Sequence, residues 1–131
     1  MIVDASALIA IAKEEPEARS FAVAIERAPE RRMSAVTFVE AGIVADRMPD
    51  PLVTRGLDRI LRDSRVEIVD VTAEQASVAR QAYRDFGRGS GHPAQLNFGD
   101  CFAYALAHVT GEPLLFKGDD FVHTDIRPAV P

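Results

Sequence analysis

The chain opens on three apolar residues, Met1-Ile2-Val3, that stop abruptly at Asp4 and give way to Ser6-Ala7-Leu8-Ile9-Ala10-Ile11-Ala12. The first run suits a short buried strand and the second, by length and alanine content, a helix, so the opening residues predict strand, acidic residue, helix. Pro16 is tolerated in a first helical turn, and Phe21, Ile25 and Ala28 recur at helical spacing until Pro29. Met33 to Val36 predicts a brief strand, and Thr37-Phe38-Val39-Glu40 opens the next helix, which runs through Ile43 and Val44 towards Met48. Pro49-Asp50-Pro51 is a breaker, after which Leu52, Leu57, Ile60 and Leu61 mark a helix ending near Ser64. Val66 to Val69 is the best internal strand. Thr72 to Phe86 predicts an amphipathic helix with Ala76, Ala79, Tyr83 and Phe86 on one side. A glycine-rich loop, Gly87 to Pro93, precedes a helix whose apolar stripe is Phe98, Phe102, Leu106 and Val109, and Pro113 to Phe116 predicts a last buried strand.

Strands that alternate with helices and lack polar alternation of their own predict an α/β fold with a mostly parallel central sheet flanked by helices. No repeat or linker interrupts the pattern, so residues 1–131 are expected to form a single domain. In such sheets ligands sit beyond the carboxyl ends of the strands, and that rim organises the search for chemistry.

Composition narrows the function classes. With 47% hydrophobic and 27% charged residues the chain reads as a soluble globular protein. Fifteen basic against twenty acidic residues leave a net charge of −5, so no global field draws it to nucleic acid or anionic lipid, and any nucleic-acid site must be local. One cysteine, Cys101, rules out an internal disulfide and a cysteine-rich zinc site, and reads as a small buried residue. The N-terminal apolar run has no basic residue ahead of it and is far short of a membrane span, which predicts a cytoplasmic chain without an anchor.

Acidic residues gather at the predicted rim. Asp4 follows the first strand, Glu40 and Asp100 fall in first turns of helices, and Asp119-Asp120 follow the last strand. Each has an ordinary structural explanation: Asp4 is a good N-cap, Thr37-x-x-Glu40 is a capping box, and Asn97-x-x-Asp100 is a looser version of one. On the helical wheel Asp100 lies opposite the apolar stripe, on a face shared with Asn97 and Tyr104 beside the small Ala103 and Ala107. Taken together, though, converging carboxylates repel one another unless a divalent cation compensates them. Mg2+, with Mn2+ as a substitute, is the natural occupant, because it takes hard oxygen ligands and keeps waters for a phosphate substrate. His92, His108 and His123 have no metal-ligand spacing, which argues against zinc. Such a site hydrolyses phosphodiesters. Local cations for the substrate's phosphates are then sought in Arg31, Arg32, Arg84, Arg88 and Lys117, each of which is otherwise a solvated surface charge.

The segments MIVDASAL, TFVEAG, LNFGDCFAYALA and LLFKGDDF resemble the signature segments of PIN-domain ribonucleases, specifically the VapC toxins of type II toxin–antitoxin pairs. They stand in family order from Met1 to Phe121. The resemblance implies a single PIN-like domain with Asp4 and Asp100 as principal magnesium ligands, directly or through water. It also places Glu40 in the acidic cluster and gives Ser6 the support of the Asp4 loop, with Asn97 beside Asp100. An RNA substrate, a homodimer and a VapB-type antitoxin, whose C-terminal segment covers the site with an arginine, are implied as well. The chain departs from the family at Gly118, where many members carry an acidic or amide residue, and at Ala5, where threonine is frequent. Asp119 or Asp120 must therefore complete the cluster, and Asp120 keeps the phase of the family's final aspartate. Apolar residues of the early helices, Leu8, Ile11, Phe21 and Ile25, serve either the core or a partner helix. Competing functions are a catalytically silent PIN fold that binds RNA or protein, and a receiver-like phosphotransfer domain. The latter lacks the paired acidic residues receivers carry after their first strand, and a haloacid-dehalogenase-like phosphatase fails because Ser6 stands where a general-acid aspartate is needed.

Overall fold

A computed structural model describes residues Met1–Pro131. In chain order the elements are β1 (Ile2–Val3), α1 (Ala5–Ala12), α2 (Ala18–Arg27), β2 (Arg32–Ser34), α3 (Ala35–Asp46), α4 (Pro51–Asp63), β3 (Glu67–Val69), α5 (Ala73–Phe86), α6 (Phe98–Thr110) and β4 (Leu114–Leu115). The four strands form one parallel sheet in the order β3-β2-β1-β4. Ile2 stands opposite both Arg32 and Leu114, and Met33 opposite Ile68.

These strands are two or three residues long, yet they divide the interior in two, because successive side chains on a strand point to opposite faces. Ile2 and Leu114 pack on one side with α5, α6, Phe121 and Ile126. Val3, Met33 and Leu115 pack on the other with α1, α2, α3 and α4. Burial on both faces is why β1 and β4 show no polar alternation, whereas the edge strand β3 is exposed at Glu67 and Ile68. Leu8, Phe21 and Ile25 are buried in the second core, so their role is packing and not docking. Beyond β4 the chain returns along the sheet edge: the Leu114 N–H donates to the Arg127 carbonyl at 2.9 Å, and the Ala129 N–H to the Leu114 carbonyl at 2.8 Å. An open strand edge is thereby covered. No helix is long and apolar enough to cross a membrane.

Three helices differ from their sequence-based expectation. α3 starts at Ala35, capped by the Ser34 hydroxyl, which accepts from the Val36 N–H at 3.3 Å. Ser34 thus ends the strand early, Thr37 is fully buried, and Glu40 lies in the second turn without the expected capping box. On α5 the buried positions are Gln75, Ala79 and Ala82, with Val78 and Phe86 packed beside them, while Ala76 and Tyr83 are exposed. On α6 the buried face runs through Gly99, Asp100, Cys101, Ala103, Tyr104 and Ala107, and Phe98 is 71% exposed. Small side chains let this helix lie close to its neighbours, and its two phenylalanines, Phe98 and Phe102, are left at the margin. Of the expected stripe only Leu106 is fully buried.

Candidate active site

With all strands parallel, their carboxyl ends share one rim, and chain order reverses about β1, which sits between β2 and β4. Ligand crevices form at such a switch point. Asp4 occupies it, one residue past β1, with its N–H donating to the Leu115 carbonyl at 2.9 Å. Its Oδ2 caps α1, accepting from the Ser6 N–H at 3.0 Å and from the Ser6 hydroxyl at 2.6 Å. Its Oδ1 is buried with no hydrogen-bond partner. Burial outweighs the Ser6 hydrogen bonds and raises the Asp4 pKa.

Asp100 arrives from the first turn of α6 and forms the expected capping box with Asn97. The Asp100 N–H donates to Asn97 Oδ1 at 2.8 Å, and the Asn97 N–H to Asp100 Oδ2 at 3.0 Å. Burial, against the Asn97 hydrogen bond and with the charges of Asp4 and Asp120, pushes its pKa up to about 7. Glu40 reaches the same point from α3; burial, then the charges of Asp4 and Asp100, push it up to about 7 as well. One carboxylate oxygen from each of the three lies within 4.8 Å of the other two.

Gly99 makes this convergence possible, and sequence reasoning passed over it. A Cβ there would stand 1.7 Å from Glu40 Oε2, so only glycine leaves room for the glutamate to cross α6. The signal was a glycine in a first helical turn, next to the acid it serves. Asp119 and Asp120 are both exposed, but Asp120 is the one whose charge reaches Asp4 and Asp100. Gly118, at φ 98°, provides the turn that leads there.

The five candidate RNA-contacting cations divide. Arg31 is a structural clasp, donating to the carbonyls of Ile25 (2.8 Å), Ala28 (3.0 Å) and Ser64 (2.9 Å). Arg32 pairs with Glu30 at 2.9 Å and Glu112 at 3.0 Å, and Lys117 is held by Glu15 and Glu17. Arg84 and Arg88 are exposed and free of carboxylate partners, and Arg88 is near enough to draw the Asp100 pKa down slightly.

The donor set fits a hard divalent cation: three oxygen ligands, an orphaned buried oxygen on Asp4, and mutual repulsion that a 2+ charge relieves. No histidine or cysteine joins it. His92 instead accepts the Ala94 N–H through Nδ1 and packs against Phe86.

The fold is shared with solved structures of low sequence identity. Mycobacterium tuberculosis VapC20, a sarcin-ricin loop cleaving toxin, superposes with a TM-score of 0.75 at 16% identity over 99% of this chain and 98% of its own. A toxin-antitoxin complex from Klebsiella pneumoniae gives 0.69 at 17% identity over 95% and 92%. Sequence relatives are nearer: ribonuclease VapC42 of M. tuberculosis is 57% identical over 129 residues, 98% of each chain. Ribonuclease VapC28 of the same species is 52% identical over 130 residues, 99% of this chain and 98% of its own. The PIN domain family profile matches residues 1–127. The strand order, the rim of carboxylates and these matches agree, and the chain belongs to the PIN domain family, within the VapC ribonucleases.

Proposed function

We propose that this protein is a magnesium-dependent endoribonuclease, the toxin of a type II toxin–antitoxin pair, acting in the cytoplasm. The observation that carries this reading is the meeting of Asp4, Glu40 and Asp100 around a buried, unpartnered carboxylate oxygen. Asp4 and Asp100 hold the ion, and Mn2+ substitutes for Mg2+. When bound, the ion supplies Lewis acidity at the scissile phosphate and lowers the pKa of water. Glu40, beside the two ligands on the rim, orients the attacking water and takes its proton. Asp120 completes the acidic rim; Ser6 and Asn97 fix the two ligands by the hydrogen bonds they make to them. Arg88 and Arg84 guide RNA phosphates to the rim, on a protein whose net charge is otherwise repulsive.

Two partners follow from the same surface. A VapB-type antitoxin would place an arginine among the carboxylates, where a bidentate guanidinium offsets the repulsion as a cation does. The toxin-antitoxin nature of a structural neighbour supports it. A second copy of this chain would cover the apolar face of α3, where Val39 and Ile43 are about half exposed and border a groove of about 540 Å3 with Phe98. The test is cleavage of a labelled RNA panel with Mg2+, with Mn2+ and with EDTA. Products that appear only with the ion are expected; RNA binding without any cation-dependent product would instead support a silent PIN fold.

A further inference from the structure

The loop that carries Asp120 is fastened at one residue from two directions. The Lys117 N–H donates to Ser6 Oγ at 2.9 Å, and the same hydroxyl donates to Asp4 Oδ2 at 2.6 Å. The loop backbone is thus two hydrogen bonds away from the buried carboxylate. The Lys117 ammonium points the other way, donating to Glu15 and pairing with Glu17 at 3.2 Å in the turn between α1 and α2. Glu15 is further braced by Lys13 at 3.1 Å, and the turn itself passes through Glu14 at φ 54°. Past Lys117, Gly118 reverses the chain and brings Asp120 into electrostatic range of Asp4 and Asp100.

A lysine that serves RNA leaves its ammonium free for phosphate. Here two carboxylates already neutralise it, and it spans two loops that no strand or helix joins. We propose that Lys117, clasped by Glu15 and Glu17, is a positioning residue that fixes Ser6 and Asp120 in the geometry the metal requires. Residues behind a metal ligand orient it, so loosening them weakens the ion without removing any ligand. Released from Glu15 and Glu17, the loop would exchange among conformations; the Lys117 N–H would leave Ser6, and the Ser6 hydroxyl would lose the direction it gives to Asp4. Single surface ion pairs are weak, so the effect belongs to the whole clasp and is modest. The inference rests on the metal-dependent reading above.

The test is Mn2+ titration of the RNA-free protein, followed by electron paramagnetic resonance, for wild type, K117M, K117R and the double variant E15Q/E17Q. K117M and E15Q/E17Q are expected to weaken Mn2+ by about 3- to 10-fold, below the usual range for residues behind a ligand, with K117R nearer to wild type. The salt dependence of RNA binding should keep its slope in K117M. Wild-type Mn2+ affinity in K117M and in E15Q/E17Q would overturn the clasp. So would a flatter salt slope in K117M combined with tighter RNA binding in E15Q/E17Q, which would make Lys117 a phosphate contact. If wild type and D4N alike bind no Mn2+, the metal-dependent reading itself falls.

Discussion

Asp4 uses one oxygen to begin a helix and keeps the other buried without a partner. The sequence offered a cap and a metal ligand as alternatives for this residue, and the structure shows the cap while leaving the second oxygen free, because a carboxylate has two oxygens and an N-cap needs only one. The cost of such a site is measurable by removing one charge. D100N retains an acceptor oxygen for the Asn97 N–H, so the cap survives while the repulsion falls. Cleavage should drop at least about a hundredfold, while the metal-free protein gains about 1–2 kcal/mol at pH 8. The pH dependence gives the sign. Asp100 titrates near 7 in the fold and near 4 when unfolded, so between those values the native state holds a proton that the unfolded chain has released. Wild-type stability therefore suffers as pH rises from about 4 to about 7, and the advantage of D100N should be absent at pH 4 and complete by about pH 8. Thermal unfolding of the two proteins across that range checks it; an advantage independent of pH would mean that Asp100 is not strained by its charge.

Helices were legible in order and approximate extent, and the rim of acids with them, because apolar runs and breakers such as Pro49-Asp50-Pro51 are local signals. Their faces were less so. Phe98 and Phe102 dominate a helical wheel by size, whereas packing on α6 is decided by the small residues that permit close approach, a property of the neighbours and not of the helix. The start of α3 was missed for a related reason: Ser34 is buried inside what reads as a continuous strand, and only its cap bond reveals the boundary. Gly99 belongs to the same lesson and supplies a prediction. In G99A the helix gains intrinsic propensity of up to about 1 kcal/mol, and the flexible end of Glu40 swings away from the new Cβ. Unfolding temperature should stay level or rise while cleavage falls about tenfold or more; unchanged cleavage would remove Glu40 from the mechanism. At the end of α5 and in the loop just beyond it, loss of charge at Arg84 and Arg88 together should lower the slope of log affinity against log salt by about 2 in RNA-binding measurements. An unaltered slope would send the RNA path elsewhere.

Across the whole molecule, two cores back to back on a very small sheet leave stability dependent on the C-terminal segment that seals its edge. Residues 125–131 contribute the two backbone bonds at Leu114, the buried Ile126, and Asp125, which accepts from the Tyr104 hydroxyl at 2.7 Å. Truncation after Thr124 should cost about 3 kcal/mol or more and expose β4 to association, detectable as a lower urea midpoint and as light scattering. A truncated chain as stable and monodisperse as the full one would deny the segment that role. The pairing of β1 with β4 also sets a timetable. The strand made first waits for a partner 112 residues downstream, and the acids enter at positions 4, 40, 100 and 120. At translation speeds of about 5–20 residues per second, roughly 6–23 s separate the first from the last. Throughout that interval the growing chain holds the carboxylates of the candidate site apart, and the proposed cation has no complete set of ligands to bind. The finished C-terminal half closes the sheet and brings Asp100 and Asp120 to the rim beside Asp4 and Glu40, so the site is the last part of the molecule to assemble.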